Sequence, residues 1–185
     1  ITTEQYRTTN LVSAPRTIRV VGLSGTGTTA LTTNMRNGLQ AAINRYNNLG
    51  LSINFTLTFS SSTSGANIVV RRQTGSAGGV AGFPSGGNPY NSVTLYSGLD
   101  SYSTNVNAHV AAHEIGHCIG LRHTDWFSRQ SCGQNSNEGT AGVGAIQIPG
   151  TPSGYDATSY MRACFSSSET GAFNANDITA LNYLY

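Results

Sequence analysis

His113, Glu114, His117 and His123 bring three imidazoles and a carboxylate into eleven residues of a 185-residue chain that holds only four His and eight acidic side chains in all. On a helix, His113 and His117 share a face one turn apart, at about 100° per residue, so both rings can reach one ion. Two such imidazoles suit zinc, and Glu114 beside them can take a proton from an attacking water without itself binding the metal. Gly120 can adopt φ > 0 and let the chain leave the helix. His123 then turns back as the third ligand and leaves a fourth position open for chemistry.

His109 completes a rival set, His109, His113 and His117, at i, i+4 and i+8. Eight residues of helix rise about 12 Å, whereas zinc–nitrogen bonds are about 2.0–2.1 Å, so the outer pair cannot close on one ion. His109 is therefore expected to be a packed or hydrogen-bonded neighbour. Cys118 lies about 100° around the helix from His117 and points elsewhere, which argues against a closed structural zinc site. Among Ile115, Ile119 and Leu121 it reads as a small buried hydrophobe.

The elements that must position these residues follow from the apolar pattern. Thr17–Val21 alternates as a first strand, and Thr28 or Thr29 can cap a helix whose apolar residues run from Leu31 through Met35, Leu39, Ile43 and Tyr46 to Leu49, before Gly50. Residues 53–59, 67–72 and 92–96 read as further strands. Val80-Ala81-Gly82-Phe83-Pro84 reads as an edge strand, since its proline cannot donate to a ladder. Ser103 or Thr104 can cap the histidine-bearing helix, residues 124–158 are polar, Gly-rich and weakly periodic, and Asn176-Asp177 can cap a last helix. Gly25-x-Gly27 lacks the third glycine and the lysine of a phosphate loop and reads as a linker.

Composition narrows the function further. The net charge of +2 comes from ten Arg without Lys and without a basic run, so nucleic acid is not indicated. No stretch is apolar for long enough to span a membrane. With 10% charged residues and much Ser, Thr, Asn and Gly, the chain is of secreted character. It opens at Ile1 without Met or a signal-peptide pattern, as in a processed mature form that has lost a pro-segment or in a trimmed chain.

The motif from His113 to His123, followed thirty-eight positions later by Met161 in Ser159-Tyr160-Met161, resembles the metzincin clan of zinc endopeptidases. Residues 113–117 spell HEIGH and continue His123-Thr124-Asp125-Trp126, which is similar to the bacterial secreted HEIGH metallopeptidases. The resemblance implies an α+β fold with a twisted mixed sheet and two long helices in an upper lobe (about 1–120). A mostly irregular lower lobe (about 121–185) would end in a C-terminal helix, the whole forming a single catalytic domain. It implies zinc on His113, His117 and His123, Glu114 as general base and acid, and Met161 as a hydrophobic floor beneath the metal. Relatives with a Tyr two residues after the Met have Ala163 here as counterpart, and Tyr160 is not assumed to replace it.

The expected activity is hydrolysis of extracellular proteins or peptides by a secreted monomer. Substrate would lie extended along Val80, Ala81, Gly82 and Phe83, with a specificity pocket walled by residues 143–161. Three cysteines allow one disulfide, and Cys132–Cys164 is preferred because both segments should converge below the zinc. Ca2+ is compatible with such an enzyme but has no ligand set in the sequence. A non-catalytic zinc-stabilised binding module, or a zinc hydrolase of a small or cell-wall peptide, are the alternatives.

Overall fold

The computed structural model describes residues 5–185, so the expectation attached to the chain's start at Ile1 lies outside the described residues. β2 (Arg16–Leu23) buries Ile18 and Val20 on one face. It runs parallel both to β3 (Ile53–Ser60), in register from Arg16 opposite Ile53, and to β4 (Ile68–Gln73), from Val20 opposite Ile68. Parallel neighbours need a crossover connection. α1 (Thr33–Asn47) supplies it between β2 and β3. β6 (Ser92–Tyr96) continues the parallel set beyond β4, and β5 (Gly79–Ala81) returns antiparallel on its outer side, giving the order β3-β2-β4-β6-β5.

The short edge strand begins one residue before the stretch predicted for it, at Gly79, and ends sooner, at Ala81 rather than Pro84. At Gly82 the ring of Tyr90 sits where a side chain would begin, 2.7 Å from the Cβ position, and Tyr90 is in turn anchored by its N–H to the Cys118 carbonyl at 3.0 Å. The chain bends there, and the pairing stops.

α1 starts later than its sequence suggests. Leu31 N–H donates to the Leu23 carbonyl at 2.8 Å, which commits residues 28–31 to closing the strand. Thr32, rather than Thr28 or Thr29, then accepts the Met35 N–H as the cap. Met35, Leu39, Ala42, Ile43 and Tyr46 are all at most 2% exposed and face α2 (Thr104–Cys118), which Ser103 caps. The two helices touch most closely at Gly38, where an added Cβ would lie 2.7 Å from Asn107 Cβ and 2.8 Å from the Ala108 backbone nitrogen. α2 is buried all round from Val106 to Cys118. Its polar side chains must therefore find partners inside the protein.

Beyond α2 the chain is largely irregular until α3 (Ala175–Leu184), which is capped by Asn174 rather than by Asn176-Asp177. Asp177 is the third helical residue of a reciprocal capping box, its carboxylate accepting the Asn174 N–H at 2.9 Å. The irregular stretch is held by the Cys132–Cys164 disulfide and by Asp125, which is fully buried. Asp125 accepts Ser131 Oγ and N–H on one carboxylate oxygen, at 2.6 and 3.0 Å, and Ala163 N–H on the other at 2.9 Å.

The N-terminal arm, residues 5–15, docks on this region. β1 (Tyr6–Arg7) pairs antiparallel with β7 (Ile146–Gln147), Tyr6 meets Trp126 and Phe127 edge-on, and buried Gln5 donates to Asp177 at 2.7 Å and Ser159 at 3.1 Å. Among the described residues, no helix is long and apolar enough to cross a membrane.

The close helix crossing yields a stability prediction. Gly38→Ala should overpack it and lower stability by about 1–3 kcal/mol, because the neighbours at that point are backbone and a rigid Cβ. Denaturant unfolding should show the loss as a lower midpoint with an unchanged slope.

Candidate active site

His113 and His117 ride on the last turns of α2, and Gly120, at φ +110°, turns the chain so that His123 faces them. A side chain at Gly120 would also meet Leu11 and Thr8 of the N-terminal arm, the nearest atom 2.6 Å away, so the position is constrained twice. The three Nε2 atoms converge: 3.0 Å between His113 and His117, 3.1 Å between His117 and His123, and 3.2 Å between His113 and His123.

Hydrogen bonding on the far side of each ring fixes what those atoms are. His113 Nδ1 lies 2.8 Å from the Tyr160 carbonyl and His117 Nδ1 2.7 Å from the Leu121 carbonyl. A carbonyl only accepts, so both Nδ1 atoms carry the proton and both Nε2 atoms are bare. His123 Nδ1 donates in the same way to Glu138 Oε1 at 2.7 Å. Three lone pairs thus point at one another within hydrogen-bond distance. Burial, followed by repulsion from the neighbouring rings, holds His113 well below the ordinary histidine range and brings His117 down to about 3, so neither of these two rings relieves the contact by taking up a proton. A cation with open coordination satisfies all three rings at once, so this donor set fits a metal such as zinc.

Glu114 is 5% exposed, and burial pushes its carboxyl up to about 8. It lines the same cavity as the three histidines, with Gly79, Val80, Ala81 and Phe83 of the sheet edge opposite. The edge is close. A Cβ on Gly79 would lie 2.8 Å from Glu114 Cγ and 2.9 Å from Oε1, so β5 can pass over the carboxylate only as bare backbone. Phe83 stands edge-on to His117, ring centres 5.3 Å apart, while Gly82 lies under Tyr90 outside this cavity.

Met161 is fully buried, and its sulfur occupies the space that a side chain at Gly116 would need, 2.6 Å from the Cβ position. The glycine inside the motif thus admits the methionine against α2. The turn around Met161 is tied on both sides, by Thr124 N–H to the Met161 carbonyl at 3.0 Å and by Ala163 N–H to Asp125. Tyr160 supplies only its carbonyl to the site. Its hydroxyl points into the core, 3.0 Å from that of Tyr46, which itself donates to the Ala112 carbonyl at 2.6 Å.

His109 stays outside the triad. It is buried, stacked 6.5 Å from His113 and 3.5 Å from Glu169, and burial lowers it to about 4 despite that carboxylate. Free Cys118 is buried, and burial pushes its thiol up, away from reactivity. A second cavity of about 380 Å3 opens beside Glu114. It is walled by Ala77–Gly79, Tyr102, His109, Val110 and the segment from Arg162 to Ser167. Residues 143–161, the expected wall, contribute nothing to its lining, because Ile148 and Thr151 are drawn under the N-terminal arm by Gln5.

Sequence reasoning missed Glu138 and Arg122. Glu138 is one of four Glu in the chain and the single charged residue in the polar stretch from 130 to 155, a signal that composition does carry. Burial pushes its carboxyl up, but the bond from His123 and the charges of Arg129 and Arg122 outweigh that and hold it below the usual range. Arg122 is 2% exposed, with Phe83 and Trp126 rings 5.7 and 5.9 Å from its guanidinium carbon.

Comparison with known proteins bears on the whole chain. Among solved structures, one of myroilysin has a TM-score of 0.58 at 18% identity, over 94% of this chain and 81% of that one. A crystal structure of myroilysin gives 0.59 at 17%, over 96% and 86%. At such identities the likeness is one of fold, and it makes this α+β architecture metzincin-like. No curated protein matches the chain. The family described as dual-action HEIGH metallo-peptidase matches residues 1–185 from end to end, and the chain is a metallopeptidase that belongs to it.

Proposed function

We propose that residues 1–185 act as one catalytic domain, a secreted zinc endopeptidase, with His113, His117 and His123 as the metal ligands and Glu114 as the catalytic residue. The observation that carries this reading is the convergence of three bare Nε2 atoms in the cavity that also holds the buried carboxylate. When bound, zinc supplies a Lewis acid that polarises a substrate carbonyl and acidifies a water. Glu114 Oε1 or Oε2 takes the proton of the attacking water and delivers it to the amine that leaves, so one carboxylate is base and then acid.

The cleft residues bind and orient. Among the described residues β5 has β6 on one side and no strand on the other, so Val80 and Ala81 offer backbone groups to an extended peptide and Phe83 continues the wall, while Gly82 packs under Tyr90. Gly79 lets that peptide come close to Glu114. Met161 forms an apolar floor under the histidines and holds its turn, and with it the Tyr160 carbonyl, against α2. The disulfide and the low charge support an extracellular setting.

Glu114→Gln keeps the side chain's size but removes the base. It should cut peptide hydrolysis by about 10²–10⁴-fold while zinc content is unchanged; undiminished cleavage would overturn the role. The pH dependence has a definite sign. Glu114 sits near 8 without metal, and a dication nearby favours its charged form. In carboxyl-labelled protein its NMR titration midpoint should therefore fall on zinc loading, and the acid limb of activity should follow the lower midpoint.

A further inference from the structure

Two of the three imidazoles are oriented by backbone. His113 and His117 sit on α2 and donate to carbonyls of packed turns. His123 has neither support, since it lies past Gly120 on irregular chain, and its Nδ1–H meets a side chain, Glu138, fifteen residues further on.

We propose that Glu138 is the positioning residue for the third ligand, and that through it cation binding and the folding of residues 126–144 stabilise each other. This rests on reading the triad as the metal centre. Glu138 is itself well held. Arg129 Nη1 donates to the same carboxylate oxygen at 2.7 Å, Arg122 Nη2 stands 3.6 Å from the other, and the Glu138 N–H donates to the Trp126 carbonyl at 2.8 Å. Arg122 also donates from Nη1 and Nη2 to the carbonyls of Gly139, Thr140 and Gly144, at 2.9, 3.1 and 2.9 Å. One buried guanidinium thus gathers the loop around the carboxylate.

A carboxylate at that place does two things that a carbonyl does less well. It fixes the tautomer that leaves Nε2 bare, and its full negative charge raises the basicity of the ring toward a cation. The coupling is reciprocal by linkage: whatever Glu138 adds to cation affinity, the bound cation adds to the stability of the loop that carries Glu138.

The test measures zinc affinity by competition with a chelating indicator in the wild type, Glu138→Ala and Glu138→Gln. Nitrogen NMR of the His123 ring and amide exchange of residues 126–144 are followed with and without zinc. Glu138→Ala should weaken zinc binding by about 10–100-fold. Glu138→Gln, which still accepts from Nδ1–H but lacks the charge, should lose less. In the alanine variant the His123 signals should move from one tautomer to a mixture, a change that a purely structural role for Glu138 would not produce. Zinc should slow exchange across 126–144 in the wild type and cease to do so in that variant. Unchanged zinc affinity with an unchanged His123 tautomer overturns the proposal while leaving the triad intact. A wild type that binds no zinc overturns the triad reading and this proposal with it.

Discussion

The protein is organised around an electrostatic conflict. Three imidazoles are held with their Nε2 atoms 3.0–3.2 Å apart, and burial keeps His113 and His117 from relieving the contact by protonation. Such an arrangement persists only where the surrounding structure imposes it, and much of the fold does so. α2 is buried on every side, so its register against α1 and the sheet cannot drift. The turns that receive the Nδ1 protons are fixed in their own right, by the Leu121 N–H donating to the Gly116 carbonyl on one side and by buried Met161 on the other. Without that enclosure the rings would rotate apart. With it, a cation is the natural partner, and Glu114 shares the same dry cavity.

Much of this was legible in the chain. The four-residue spacing of His113 and His117 fixes a common face, and the excess rise across eight residues removes His109, arguments that need only helix geometry. The strands and α1 show through their periodicity because each buries one face. The later parts of the site were harder to read for a physical reason. Glu138, Asp125 and Arg122 act from irregular chain, where neither periodicity nor spacing says which residues meet. Their partners are set by a disulfide, a docked arm and a network of backbone carbonyls. Helix starts were misread at Thr32 and Asn174 because neighbouring polar residues offer equivalent caps, and tertiary hydrogen bonds chose between them.

Glycine divides its labour here between conformation and space. Gly120 is needed for its positive φ. Gly79 and Gly116 have ordinary backbones, and what matters is the missing side chain, which lets the sheet edge reach Glu114 and the Met161 sulfur reach α2. Glycine within a helix costs about 1 kcal/mol relative to alanine. At position 116 that cost is offset by contact of a fully buried methionine.

The bond between Tyr46 and Tyr160 has a consequence for how such a sequence can change over time. The two hydroxyls lie in the core, 114 residues apart in the chain, and Tyr160's backbone carbonyl is what orients His113. Losing the Tyr160 hydroxyl leaves Tyr46 with its bond to Ala112, whereas losing that of Tyr46 takes from the buried Tyr160 hydroxyl the partner it has there. The two positions are therefore expected to vary together among descendants of this chain, and a substitution in the first helix can be felt at a ligand that it never touches.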